Sequence, residues 1–319
     1  MKPEERDYFP SDVLKPGIFP RMPMAIYLSM EAVSASLLKT LLTECPRKAW
    51  YDSYLNPSRP PGDDTDASDA GTIAHGILLE GSEKGISIGD FADFRTKDAQ
   101  TWKKKIRELG NIPILAHKMP PIRAMVAEAR RFLDDEVRTE EPAIWNAFQP
   151  DGGESETTIV WQDGPTLCRI RPDRLSSNRK LIADYKTTKT SAEPDRWGRT
   201  QMVGLGYYIS AAFYRRGILA TFCTQVEYVF LAQEQTPPYL CSLVGMDPHA
   251  FDLGNAKIES ALRRWQECVA SNRWPGYPAR ICYPEIPPWE QIRWDEQQAD
   301  EEARGIEYSP EKLYGGIEK

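Results

Sequence analysis

The stretch Arg171-Pro172-Asp173-Arg174-Leu175, followed by Ile182-Ala183-Asp184-Tyr185-Lys186-Thr187-Thr188, decides the reading of this chain. The second piece alternates with a period of two, as a β-strand does, so Asp184 and Lys186 project from one face and Ala183 and Tyr185 from the other. Between the pieces, the polar run Ser176-Ser177-Asn178-Arg179 ends one strand and permits an antiparallel return. Two carboxylates and a lysine, Asp173, Asp184 and Lys186, thereby come to adjacent strands.

Carboxylates that converge on one point repel each other, and they stay ionised at neutral pH when a cation sits between them. Hard oxygen donors favour Mg²⁺ or Mn²⁺ over zinc, and Mg²⁺ keeps waters, one of which can attack a phosphodiester. Lys186 beside the ion would position that water or offset charge at phosphorus. The layout is that of a metal-dependent nuclease. The plain alternative is a buried Asp-Lys ion pair on an ordinary strand, and the rest of the chain arbitrates between the two.

Upstream, Asp69-Ala70-Gly71-Thr72-Ile73-Ala74-His75-Gly76-Ile77-Leu78-Leu79-Glu80 reads as a helix whose small residues allow close backbone approach, with His75 and Leu79 on one face. His75 is one of three histidines, with His117 and His249. The order Gly-Thr-x-x-His-x-x-x-Leu-Glu, then Pro-Asp, then Asp-x-Lys-Thr-Thr resembles the PD-(D/E)XK nuclease superfamily, in its branch of RecB-like, Cas4-like and RecE-like exonucleases. Within that branch the chain is most similar to the RecE type, exodeoxyribonuclease VIII and its phage and prophage relatives. Tyr27-Leu28-Ser29 with the helical run Ser34 to Leu42, Cys45-Pro46 and Trp50-Tyr51 looks like the family's first helix. Asn111 to Leu115 before a helix around Ile122 to Phe132 looks like its mid-domain spacer, Glu156 to Trp161 like the strand before Pro-Asp, and Gly206 to Gly217 like the helix after the lysine. The resemblance spans about residues 25 to 275.

It implies an α/β (α+β) fold of the restriction-endonuclease-like kind, a mixed central sheet flanked by helices. It also implies His75, Asp173, Asp184 and the Tyr185 carbonyl as ligands of Mg²⁺ (or Mn²⁺), Lys186 as the catalytic lysine, and Glu80 and Glu156 as second-rank candidates. Relatives carry Gln-x-x-x-Tyr in the following helix where this chain has Ser210 and Tyr214. Serine is too short for a glutamine's bidentate work, so either Gln201 substitutes or the substrate contact is weaker. Tyr214 is read either as a substrate contact or as core packing on an amphipathic helix. The implied activity is exonucleolytic hydrolysis of double-stranded DNA ends, 5′ to 3′, in phage-type recombination. A ring-shaped homo-oligomer and a RecT-like single-strand annealing partner are implied with it. Two alternatives stand beside this: a Cas4-like iron-sulfur nuclease, and a catalytically inactive DNA-binding protein of the same fold.

Length and apolar content permit one large domain. Residues 1–25, rich in charge and proline, read as an extended arm; 26–282 as the exonuclease domain; and 283–319 as an acidic, Pro-containing and loosely structured tail. Strands are expected at about 157–162, 166–172, 180–187, 225–233 and 239–246. Helices are expected at about 199–216 and 249–271, the latter with an apolar stripe of Ile258, Leu262, Trp265 and Val269.

The net charge of -7 is unevenly placed: 283–319 holds ten acids and four bases, which leaves 1–282 nearly neutral. Segment 164–216 holds eleven bases against four acids. Such a field around the motif suits a phosphate backbone, with Arg169, Arg171, Arg174, Lys189 and Arg215 as candidate DNA contacts. The run Lys103-Lys104-Lys105 with Arg107 reads equally as a strand grip or as a solvated helix face.

Six scattered cysteines with no C-x-x-C spacing disfavour a four-cysteine cluster and suit reduced thiols. Gly204-x-Gly206 lacks the strand-turn-helix context of a dinucleotide loop. No apolar run reaches membrane-span length and no signal-peptide pattern opens the chain, so a cytoplasmic protein is expected, in the bacterial host of a phage or prophage.

Overall fold

The computed structural model describes residues 14–59 and 66–305. By its internal contacts the chain divides into two compact units, Met1–Gly276 and Tyr277–Lys319.

The first unit carries ten strands among the described residues: β1 (Gly17–Phe19), β2 (Ile86–Gly89), β3 (Ile112–Leu115), β4 (Gly153–Ser155), β5 (Thr158–Asp163), β6 (Thr166–Ile170), β7 (Arg174–Ser176), β8 (Leu181–Thr188), β9 (Glu227–Glu234) and β10 (Cys241–Gly245). Its main helices are α1 (Ala35–Thr43), α2 (Asp66–Glu80), α3 (Met119–Phe132), α4 (Pro142–Phe148), α5 (Tyr207–Phe222) and α6 (Pro248–Ser271). The central sheet runs β10-β9-β8-β7-β4, with β8 and β9 parallel and the other pairs antiparallel. A second sheet, β1-β5-β6, lies alongside, and β2 and β3 form a separate parallel pair. This is the mixed sheet flanked by helices that a PD-(D/E)XK-like fold requires.

Alternation along β8 divides the core. Ile182 points into a cluster with Leu175, Tyr228 and Phe230 that also takes residues from α1, α5 and α6. Ala183 and Tyr185, one residue out of phase, point into the opposite cluster with α2, α3 and α4. β8 is thus buried on both faces, and a polar side chain on it needs a specific partner. Ser34 starts α1 by accepting a hydrogen bond from the Leu37 amide at 3.4 Å, and Leu37, Leu38 and Leu41 are buried. On α2, a Cβ at Gly71 would meet only Thr187 Oγ1, at 3.8 Å, so that glycine is not what admits the close approach; Ala74 is fully buried in the cluster that holds Ala183 and Tyr185.

Several expected elements are corrected. The helix expected at 199–216 breaks at Gly206, whose left-handed φ of 66° caps α5 and delays its start to Tyr207. On α6, Ile258, Leu262 and Trp265 are buried, but Val269 is 46% exposed and Cys268 takes the last buried position, because a 3.6-residue repeat drifts along so long a helix. Residues 1–13 of the arm lie outside the described residues. From residue 14 the arm is packed: β1 pairs with β5, Met22 is buried, and a helix starts at Met24. In the second unit, the segment expected to be loose holds a helix, Pro288–Ala303, opened by a proline at its first turn. Contacts at i,i+3 and i,i+4 such as Arg293–Glu290 and Gln297–Glu301 support it.

Candidate active site

Asp173 precedes β7 and Asp184 lies mid-β8, and the antiparallel register that sets Arg174 opposite Ala183 brings the two carboxylates together. Asp173 Oδ2 accepts from the Tyr185 amide at 3.1 Å and from Lys186 Nζ at 3.5 Å. Lys186 also bonds Asp184 Oδ1 at close range, and the second Asp184 oxygen accepts from the Tyr228 hydroxyl at 2.6 Å. From the opposite face of β8, α2 delivers His75, whose Nδ1 lies 3.4 Å from Asp173 Oδ2 and whose ring meets the Tyr185 ring at 5.0 Å. Glu156 arrives from the turn between β4 and β5. Its φ of 55° is left-handed, and its amide is tied to the Pro172 and Asp173 carbonyls at 3.1 and 3.4 Å.

Ligand atoms of His75, Glu156 and Asp173 all lie within 4.8 Å of one another, the one such set among the described residues. Two carboxylates and one imidazole make a donor set suited to a divalent cation. The electrostatics agree. Burial, and then the charge of Lys186, lower the His75 pKa to about 4, which keeps its nitrogen lone pair free at neutral pH. Burial, and then Asp173, raise Asp184 to about 7, the penalty of two facing carboxylates that a cation would relieve. Burial raises Glu156 against the pull of Arg171, which donates to it at 2.5 Å. Burial works against the Lys186 ammonium, yet Asp173 and Asp184 more than offset this and hold it above the ordinary lysine value.

The expected site residues therefore separate. His75, Asp173, Asp184, the Tyr185 backbone and Lys186 come together, and Glu156 joins them. Asp184 stands outside the three-residue set, turned toward Lys186 and Tyr228. Glu80 is exposed, on the wall of a cavity of about 1070 Å³ that Glu156 and Arg171 also line. Gln201 donates to Thr190 at 3.3 Å, after the end of β8. The Tyr214 hydroxyl donates to the Arg171 carbonyl at 3.3 Å, bracing the turn that carries Asp173, while its ring meets Tyr228 at 6.1 Å.

The expected DNA contacts fall into different surroundings. Arg169 is buried, stacks on Tyr27 at 4.8 Å and donates to the Met30 carbonyl at 2.7 Å. Arg174 is buried and donates to Ala147, Gln149 and Pro150 carbonyls and to Ser155. Arg171 is engaged with Glu156 and the Met22 carbonyl, and Arg215 with Gln225 and the Phe251 ring. Arg169 and Arg174 each donate to neutral carbonyls, which gives both a structural part in the fold. Lys189, Arg196 and Arg199 remain exposed.

Three residues at the site escaped the sequence reading: Tyr228, Tyr207 and Lys39. Tyr228 depends on the parallel pairing that sets it beside Ile182, which no local pattern reveals. The six cysteines are free thiols, and none belongs to the convergent ligand set. Among the described residues no helix is long and apolar enough to cross a membrane.

The family model of the "PDDEXK-like domain of unknown function (DUF3799)" matches residues 34–284. The chain belongs to this PDDEXK-like family. The match takes in α1, α2, the whole central sheet and every residue of the cluster. Among solved structures, an inferred exonuclease from Eubacterium rectale superposes with a TM-score of 0.54 at 13% identity, covering 82% of this chain and 92% of that one. A phage-related exonuclease from Haemophilus somnus 129PT gives a TM-score of 0.30 at 12% identity, over 76% of this chain and 96% of that one. An alkaline exonuclease from Laribacter hongkongensis gives 0.23 at 15% identity, over 65% and 96%. The first shares the fold of this chain. The sequence matches no curated protein.

Proposed function

We propose that the chain is a divalent-metal-dependent DNA exonuclease that hydrolyses phosphodiesters from double-stranded ends, 5′ to 3′, in phage-type recombination. The observation that carries this is the convergence of His75, Glu156 and Asp173 beside a lysine held between Asp173 and Asp184. The polarity and the recombination role rest on the likeness of the motif order to RecE-type enzymes, and a fold neighbour given as an inferred exonuclease is in keeping with it.

His75, Glu156 and Asp173 would hold the cation, with Asp184 and the Tyr185 carbonyl as further ligands. Mg²⁺ or Mn²⁺ is proposed, and the imidazole tilts the choice toward Mn²⁺. Bound there, the cation supplies polarisation of the phosphoryl oxygens and acidification of a nucleophilic water. The protein's own groups do the rest. Lys186, kept charged by two carboxylates, faces the site as a fixed positive charge against negative charge growing on the phosphate. Tyr228 holds Asp184 Oδ2 and Arg171 holds Glu156 Oε2, which orients the two carboxylates at the site. A ring-shaped homo-oligomer and a RecT-like annealing partner belong to the same proposal, on the resemblance alone.

The test is digestion of linear duplex DNA labelled separately at its 5′ and 3′ ends, in Mg²⁺, Mn²⁺ or EDTA. Release from the 5′ end with metal, lost in Asp184→Ala and Lys186→Ala, is expected. Folded wild type that cuts no DNA in either metal would overturn the reading in favour of a DNA-binding module of the same fold.

A further inference from the structure

A second lysine stands at the site without a part in the chemistry above. Lys39 comes from α1, far from the motif in sequence, and its stem lies across Gly206, where a Cβ would sit 3.2 Å from Lys39 Cδ. The glycine that breaks the chain before α5 thus also makes room for this side chain. Lys39 Nζ lies 5.5 Å from the centroid of the Tyr207 ring, and Lys186 Nζ lies 5.9 Å from the same centroid.

The two ammonium groups differ in their company. Lys186 is held by Asp173 and Asp184. Lys39 is half-buried and makes one long hydrogen bond, at 3.4 Å, to the neutral Leu205 carbonyl, and among the described residues no carboxylate pairs with it. Burial first, and then the neighbouring Lys186 charge, work against this ammonium, and the Asp184 charge offsets them only in part, so it is unfavourable in the free protein. An anion entering from solvent would relieve it. On the nuclease reading, the anion that reaches this point is the backbone of the strand whose scissile phosphate lies at Lys186.

We infer that Lys39 binds a non-scissile phosphate of the substrate strand and so sets the register in which the neighbouring phosphodiester meets Lys186. This rests on the proposed nuclease function but reads on DNA binding as well as on cleavage. The Tyr207 ring, near both ammoniums, is the shared surface against which the two phosphate positions would be set.

The test uses the full chain with a short blunt duplex, comparing wild type, Lys39→Met, which keeps the stem, and Lys39→Arg; Lys39→Gln replaces the methionine variant should that one not fold. Cleavage is followed as KM and kcat separately, and binding as a salt titration in Ca²⁺. For Lys39→Met, KM should rise about three- to tenfold with kcat within about twofold, and the slope of log K against log salt should shrink by about one. Lys39→Arg should restore both. Unchanged KM and slope in a folded variant, or a loss confined to kcat, would overturn the inference. Wild type that binds but does not cleave defeats the nuclease reading alone and leaves the slope to decide on Lys39; wild type that does neither overturns both.

Discussion

The Tyr228 hydroxyl donates to Asp184 Oδ2 across 2.6 Å, from the strand that runs parallel to the one carrying the aspartate. Both groups are buried between β8, β9 and α5, and burial holds the tyrosine well above its ordinary pKa, so it stays a donor at every working pH. Tyr228→Phe removes the donor and keeps the ring. The aspartate oxygen is then buried without that partner, which costs about 1–3 kcal/mol. Denaturant unfolding in EDTA should show this loss, and part of it should return with Mn²⁺, because a cation gives the carboxylate a new partner. Equal loss with and without metal would mean that the tyrosine acts only through packing.

Lys186 offers a sharper comparison between metal-free and loaded protein. Lys186→Met leaves two facing carboxylates with no compensating charge, and breaking such a buried pair costs about 3–5 kcal/mol. Cleavage should fall by about two to three orders of magnitude, the usual effect of deleting one preorganised charge at a reacting centre. Metal affinity, in contrast, should hold or rise, since the lysine and the cation compete for the same oxygens. Isothermal titration with Mn²⁺ separates these outcomes; a variant that loses metal binding along with activity would make Lys186 a structural pillar of the site.

Arg174, expected at the DNA surface, is buried among carbonyls, and its variant decides between the two roles. Arg174→Lys cannot reproduce a planar fork reaching the Ala147, Gln149 and Pro150 carbonyls and Ser155 at once. The expected result is a stability loss of about 2–4 kcal/mol by denaturant unfolding, for a buried network left partly unsatisfied. The salt slope of DNA binding by the folded protein should stay as in wild type. A shallower slope would return Arg174 to the DNA surface.

What could be read without the structure was whatever a local period carries. The two-residue alternation of β8 gave the strand and put Asp184 and Lys186 on one face, and the Ser176 to Arg179 turn gave the antiparallel return that brings in Asp173. Glu156 ranked second in that reading because its place in the cluster depends on a left-handed residue tied to the Pro172 and Asp173 carbonyls, a tertiary arrangement. Tyr228 and Lys39 were hidden for the same reason: one needs the β8–β9 register, the other a helix packed across Gly206. The burial of Arg169 and Arg174 was hidden as well, because charged residues are ordinarily solvated and no composition rule reveals a cage of carbonyls.

The pH dependence of stability should carry the signature of His75. Its pKa falls from the ordinary 6.5 to about 4 in the fold, from burial first and from Lys186 second. As pH drops below 6.5 the unfolded chain takes up a proton at this imidazole while the native protein resists until about 4, so the unfolded state binds more protons across that window. The contribution is fully present above pH 6.5 and is lost as pH falls toward 4, at up to about 1.4 kcal/mol per pH unit. Glu156 and Asp184, both raised, act in the opposite sense, so the effect is read as the difference between wild type and His75→Gln, each unfolded in EDTA from pH 7 to 4.5. Wild type should lose its lead over the variant as the pH falls. Parallel curves would show that burial does not hold His75 neutral in the metal-free fold.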